Sequence, residues 1–232
     1  MSVIPHFFKK FMINESYYWK KELYKIYRLI AKLIASKKMN EESYYIIEKG
    51  IFLAAYIIRK LREARKFPKE IFERRIPLTR WNRKADSKIE LFNNHRFDEL
   101  YNLENSYKYE VNYEYLINQI IHSFSFYILA DKSGSLNGFL INSDKSKNSA
   151  LYLVLIEQFL FLILLISEGD LTSALYERQR IVDSQLNLTG EREMELISGN
   201  YEYPAEINLD FIVQDTMRGQ VYKRKRVNIN GV

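Results

Sequence analysis

Apolar positions recur at spacings of three and four through residues 15–38, where Trp19, Leu23, Ile26, Ile30 and Leu33 share one side and Lys20, Lys21, Lys25, Arg28 and Lys32 fall elsewhere. This is the period of a helix with one buried stripe, and Asn14 stands where its N-cap belongs. The signature returns at once. Asn40 precedes Glu41 and Glu42, and Tyr44, Ile47, Ile51, Ala54, Ile58 and Leu61 mark the second stripe. That helix ends in the cation-rich residues 58–66, which complement the negative end of its dipole. The two are expected to pack antiparallel as a hairpin.

Residues 150–167, ALYLVLIEQFLFLILLIS, form the longest apolar run, with Glu157 and Gln158 as its only strongly polar members. A helix that is apolar on every side must be surrounded by protein or by lipid. Eighteen residues sit at the lower edge of a membrane span, and a mid-span Glu costs about 2.5 to 3.5 kcal/mol on insertion scales. Asn148 and Ser149 ahead of the run, and Ser167, Glu168, Gly169 and Asp170 after it, read as capping chemistry. The expectation is therefore a buried core helix and no stable membrane span.

Elsewhere the periods are shorter. Residues 67–112 are interrupted by Pro68 and Pro77 and read as an irregular connection, with a short extended piece at 76–79 and a strand or single helical turn at 88–92. Residues 113–123 have helical spacing. Residues 124–130 and 137–141 suggest a β-hairpin across the turn chemistry of Asp131 and Gly134, leading into the loop 142–147. Asp170 can cap a helix over 170–182 carrying Leu171, Ala174, Leu175, Ile181 and Val182. Beyond 188 come breaks, then a strand-like alternation at Ile207, Leu209, Phe211 and Val213, and a second branched run at 221–229. The expected fold is mainly α, formally α+β: an antiparallel helical bundle around a buried apolar helix, with a small β-hairpin and a C-terminal strand or hairpin. Residues 1–188 would be the helical core domain and 189–232 a β-containing appendage with a basic tail.

Composition narrows the setting. The chain has 232 residues, 47% of them hydrophobic, with 18 Tyr and 14 Phe, which places it among globular proteins. The absence of cysteine excludes disulfides and thiolate chemistry and points to a cytoplasmic protein. Residues 1–12 lack a continuous apolar stretch and a cleavage site, so they do not read as a signal peptide. Frequent Lys, Ile, Asn and Tyr fit an A/T-rich bacterial or mobile-element genome. A net charge of +6, from 35 Lys and Arg against 29 Asp and Glu, permits nucleic-acid contact without demanding it. The candidate phosphate-facing cations are Arg59, Arg62, Arg65, Arg80 and Arg83, and the tail residues Lys223, Arg224, Lys225 and Arg226. Against that reading stand a dipole-matched helix end for the first group and a charged edge strand or tail for the second.

Glu114, Asn118 and His122 stand at successive i,i+4 positions, so a helix lines up a carboxylate, an amide and an imidazole that could orient a proton-transfer histidine. The simpler reading is a solvent-facing polar line. His95 is read as a surface residue. Glycine-rich phosphate loops, nucleophile elbows, zinc-protease helices and EF-hand loops are all missing from the sequence. No cofactor or metal site is expected.

Long antiparallel helices followed by a polar residue ahead of a histidine resemble the HEPN superfamily, whose members include intracellular ribonucleases of toxin, CRISPR and phage-defence systems. The resemblance covers the helices up to Asp170 and implies an RNA-binding protein or ribonuclease. In those nucleases an Arg stands four to six residues before the His. Here Asn118 stands four before His122, which implies a degenerate, non-catalytic module. The function expected is a non-enzymatic interaction protein or complex subunit, acting on a protein partner or as a homo-oligomer, from a mobile-element or phage-defence locus. A HEPN-like RNA binder or ribonuclease is the alternative, and a membrane-associated effector the second alternative.

Overall fold

A computed structural model describes residues 16–37, 39–131, 134–182 and 188–224. The two expected N-terminal helices are present as α1 (Tyr17–Ser36) and α2 (Glu41–Glu63). Lys37 ends α1 in the left-handed region at φ 50°. Asn40 opens α2, its Oδ1 accepting from the Ser43 amide at 2.8 Å, which satisfies one of the amides that a helix start leaves without a partner.

From Pro68 onward the chain alternates between helix and strand. The elements are α3 (Lys69–Glu73), β1 (Arg75–Arg83), α4 (Phe97–Leu100), β2 (Tyr101–Asn112), α5 (Tyr113–Ile121), β3 (Ser123–Ala130), β4 (Leu136–Ser143), β5 (Ala150–Leu155), α6 (Ile156–Glu168), β6 (Asp170–Val182), β7 (Leu188–Glu202) and α7 (Leu209–Met217). Five strands form one antiparallel sheet in the order β2-β1-β5-β4-β3, and β6 and β7 pair as a separate antiparallel ribbon. The fold is thus α+β with a substantial sheet and not a helical bundle, which corrects the expected architecture.

The correction has local causes. Residues 150–167 split: ALYLVL becomes the central strand β5, and only the remainder is helix. A strand buried on both faces is apolar throughout, so periodicity cannot separate it from a buried helix. Ala150, Tyr152 and Val154 face the core built with α1, α2, α5 and α6, whereas Leu151 and Leu153 face a smaller core with Ile89, Leu100 and Tyr101. Gln158 marks the change of element: its Oε1 accepts from the Leu155 amide at 3.0 Å, and its Nε2 donates to the Pro77 carbonyl at 2.6 Å.

The segment expected to be irregular, 67–112, supplies β1 and β2. The expected helix at 170–182 is strand β6, held by its pairing with β7, a tertiary contact that overrides local preference. The expected strand at 207–213 is mostly helix α7, capped where Asn208 Oδ1 accepts from the Phe211 amide at 3.0 Å. Of the second branched run, 221–224 are neither helix nor strand and 225–229 lie outside the described residues. The hairpin at 124–142 is present as β3 and β4. Among the described residues, no helix is long and apolar enough to cross a membrane.

A buried polar network ties the loop after β4 to the core. Gln119 Oε1 accepts from the Ser143 amide (2.9 Å) and from Ser146 Oγ (2.7 Å). Fully buried Asn142 donates to Tyr101 Oη at 2.8 Å, and that phenol donates to the Lys147 carbonyl at 2.9 Å. Each buried dipole keeps a partner, so the sharp turn at 144–149 carries no desolvation penalty at these groups.

Candidate functional site

The polar line on α5 meets the basic end of α2. Asn112 caps α5 by accepting from the Tyr115 amide (2.8 Å), which orients Glu114 toward Arg62 in an ion pair of 2.7 Å. The Arg62 guanidinium also lies 5.2 Å from the Phe72 ring centroid. Arg59 binds Glu63 at 3.0 Å and comes within 3.3 Å of His122 Nε2. Three expected residues, Arg59, Arg62 and Glu114, are therefore engaged with one another's elements, bracing α2 against α5. His122 is exposed at the end of α5, and Asn118 is half-buried one turn earlier. Arg65 takes the left-handed conformation (φ 55°), and its carbonyl accepts from Tyr176 Oη at 3.2 Å.

Of the remaining basic candidates, Arg83 donates to the carbonyls of Asn148 (2.9 Å) and Ser87, pinning the ends of two loops. Lys223 is exposed. Lys225 and Arg226 lie outside the described residues.

Arg224 belongs to a cluster at the buried C-terminus of α6. Gly169 does not turn into a left-handed cap (φ −90°), so the last carbonyls need other donors. Tyr203 Oη donates to Leu165 (3.1 Å), Tyr201 Oη to Ile166 (2.8 Å), Arg224 Nη2 to Ser167 (2.7 Å) and Lys20 Nζ to Gly169 (2.6 Å). Burial pushes both phenols up, Tyr203 to about 12, so they remain protonated donors. Two cations at this end also complement the helix dipole. Lys20 pairs with Asp170 at 2.8 Å, and Arg224 grips the buried Glu168 carboxylate at 2.8 and 3.0 Å. Beside the cluster opens a cavity of about 700 Å³ lined by Tyr17, Lys20, Glu168, Asp170, Ile207 and Arg224. Both cations are paired, Lys20 with Asp170 and Arg224 with Glu168, so the cluster is chiefly a structural clasp.

Arg80 is different. It projects from β1 on the same face as Ile76 and Leu78. Its guanidinium carbon lies 4.6 Å from the Tyr109 ring centroid, 5.6 Å from Tyr107 and 5.9 Å from Tyr152. Tyr107 and Tyr152 are its register partners on β2 and β5, and Tyr109 is two residues along β2. Tyr107 Oη donates to Asn82 Oδ1 at 2.9 Å, and the Tyr152 hydroxyl is 3.0 Å from that of Tyr115, so the cage walls are themselves held. Desolvation and the Tyr115 hydrogen bond push the Tyr152 phenol up, keeping it neutral beside the cation.

Among the described residues the Arg80 guanidinium makes no hydrogen bond or ion pair, and its buried Nε lacks a partner. The rings orient the charge without consuming its N–H donors. Tyr107 and Tyr109 are 40% and 38% exposed, leaving the site open to a large partner. Sequence reasoning named Arg80 but not its cage. The available signal is the period-two series Tyr107, Tyr109, Val111, masked by the breaks at Pro68 and Pro77 and the weak periodicity around it.

The chain matches no protein-family model, and no curated protein and no solved structure is significantly similar to it.

Proposed function

We propose that the protein is a non-enzymatic, intracellular interaction protein, and that the Arg80 cage is the centre of its contact surface. The observation that carries this reading is a guanidinium fixed between three tyrosine rings with its hydrogen-bonding capacity unspent. Tyr and Arg are the residue types that dominate binding energy at protein interfaces, and a guanidinium fork matches a carboxylate. The partner is accordingly a protein presenting an acidic segment. The candidate catalytic residues support the same conclusion, since Glu114 and Arg62 neutralise each other in bracing two helices.

A glutamate decapeptide titrated into the full chain is expected to move the Arg80 Nε–Hε resonance. Arg80→Gln should weaken that binding about tenfold or more, the worth of one charge-assisted contact. A resonance that stays still, or equal binding by the variant, would remove Arg80 from recognition.

One observation favours a second reading, a HEPN-like ribonuclease. The arginine missing ahead of His122 in sequence is supplied in space by Arg59, at 3.3 Å. On that reading, RNA incubated with the protein is cleaved, and His122→Ala and Arg59→Ala each abolish cleavage. Cleavage that survives in both variants would exclude the pair.

A further inference from the structure

β2 is an edge strand of the five-stranded sheet, with residues 103–110 exposed in succession. Its partner register jumps between Trp81 opposite Ser106 and Arg83 opposite Tyr101, so the regular ladder runs over residues 106–112. Exposed edges of this kind are templates for pairing with another strand unless something blocks them.

The outward groups of β2 follow from β1. The Arg83 amide donates to the Ser149 carbonyl at 3.0 Å on the β5 side, and the Pro77 carbonyl accepts Gln158 on that side as well. Odd-numbered residues of β1 therefore turn their main-chain groups toward β5, and Ile76, Leu78 and Arg80 turn theirs toward β2. Their register partners Val111, Tyr109 and Tyr107 must face β1 in return. Ser106, Lys108 and Glu110 are left with free main-chain donors and acceptors at the open edge. Pro77, which has no N–H, falls where no ladder bond to β2 is required.

A second copy can pair antiparallel with this edge only if outward residues meet outward residues, which restricts a two-fold axis to a residue position. An axis at Lys108 sets Lys108 against Lys108, and one at Glu110 sets Glu110 against Glu110. An axis at Tyr107 opposes Glu110 with Glu104. An axis at Ser106 would oppose Lys108 with Glu104, but Glu104 lies beyond the register shift; within the regular ladder, an axis at Tyr109 is the one that pairs unlike charges. It places Lys108 of each copy opposite Glu110 of the other, Tyr109 opposite Tyr109, and Tyr107 opposite Val111. Tyr109 then occupies a non-hydrogen-bonded position, where facing side chains come closest and an aromatic pair is favoured. Among the described residues, neither Lys108 nor Glu110 has an ion-pair or hydrogen-bond partner within its own chain.

We infer that the chain forms a homodimer by antiparallel β2 pairing about Tyr109, joining the two five-stranded sheets into one. The inference goes beyond the binding reading above and is tested on the sheet face opposite the Arg80 cage. Sedimentation of the full chain across a concentration series is expected to show a mass rising from 27.8 kDa toward twice that value. Lys108→Glu sets two Glu–Glu pairs, and Glu110→Lys sets two Lys–Lys pairs. Each variant alone should dissociate about tenfold more readily, from two reversed cross-strand pairs. An equimolar mixture of the two should recover the wild-type association, because each copy then offers the charge the other needs. The double variant Lys108→Glu/Glu110→Lys should do the same by itself.

Each variant is expected to keep the wild-type circular dichroism spectrum, which checks that it is folded. A wild type that stays monomeric, single variants that associate like wild type, or a mixture that fails to recover would each overturn the inference. An unchanged Arg80 resonance response in dissociated variants keeps this test separate from the binding reading.

Discussion

Phe139→Ala is expected to lower the unfolding free energy by about 3 to 5 kcal/mol, measured by urea denaturation followed by circular dichroism. Phe139 lies on β4, is fully buried, and joins the sheet to the buried helix. Its ring stacks on Phe126 with centroids 5.1 Å apart and meets the edge of Phe159 of α6 at 5.8 Å. Truncation removes that contact area and leaves a void between two elements of the main core, neither of which can move without disturbing the sheet register. Phe139→Leu, which retains most of the volume, should cost about 1 kcal/mol. Equal losses for the two variants would show that the site collapses freely and that this packing does not hold sheet and helix together.

Arg224→Ala should cost about 3 kcal/mol by the same measurement, although the residue lies far along the chain and its side chain is 30% exposed. The Glu168 side chain that it grips is only 3% exposed, so removing the guanidinium strands a carboxylate out of water. The Ser167 carbonyl loses its donor as well. The contact of Arg224 with the Tyr24 ring, 4.4 Å from its centroid, is lost with it. The cost should fall when the charge is removed too. The double variant Arg224→Ala/Glu168→Gln is expected to be more stable than the sum of the single effects by about 1 kcal/mol or more. Strict additivity would mean that water entering from the adjoining cavity already solvates the carboxylate.

The two long N-terminal helices and the β3–β4 hairpin were legible because their signals are local. Asn40 caps a helix whose stripe has one period, and Asp131 and Gly134 turn one strand onto the next. The errors fall where local signals are ambiguous. In ALYLVL every side chain is apolar, and in β6 the branched residues suit strand and helix alike. In 207–213 the alternation Ile207, Leu209, Phe211 and Val213 competes with the helical spacing of Ile212, Val213 and Thr216. For the candidate sites, an i,i+4 line located Glu114 and His122, but not the fact that Arg62 and Arg59 stand opposite them. The Arg80 cage was out of reach for the same reason, since its walls come from β2 and β5, separated along the chain by dozens of residues.

Composition and spacing alone determined that the chain is cysteine-free, has an apolar segment in its second half to bury, and carries two amphipathic helices at 17–36 and 41–63, the second capped by Asn40. Only the tertiary structure decided that the apolar segment opens as the strand Ala150–Leu155 and continues as helix from Ile156. It alone spent Glu168 and Arg224 on the end of α6 and left Arg80 and the β2 edge unspent. The reason is physical: a helix satisfies its backbone within its own residues, whereas a strand takes its hydrogen-bond partners, and a buried charge its counterion, from distant parts of the chain.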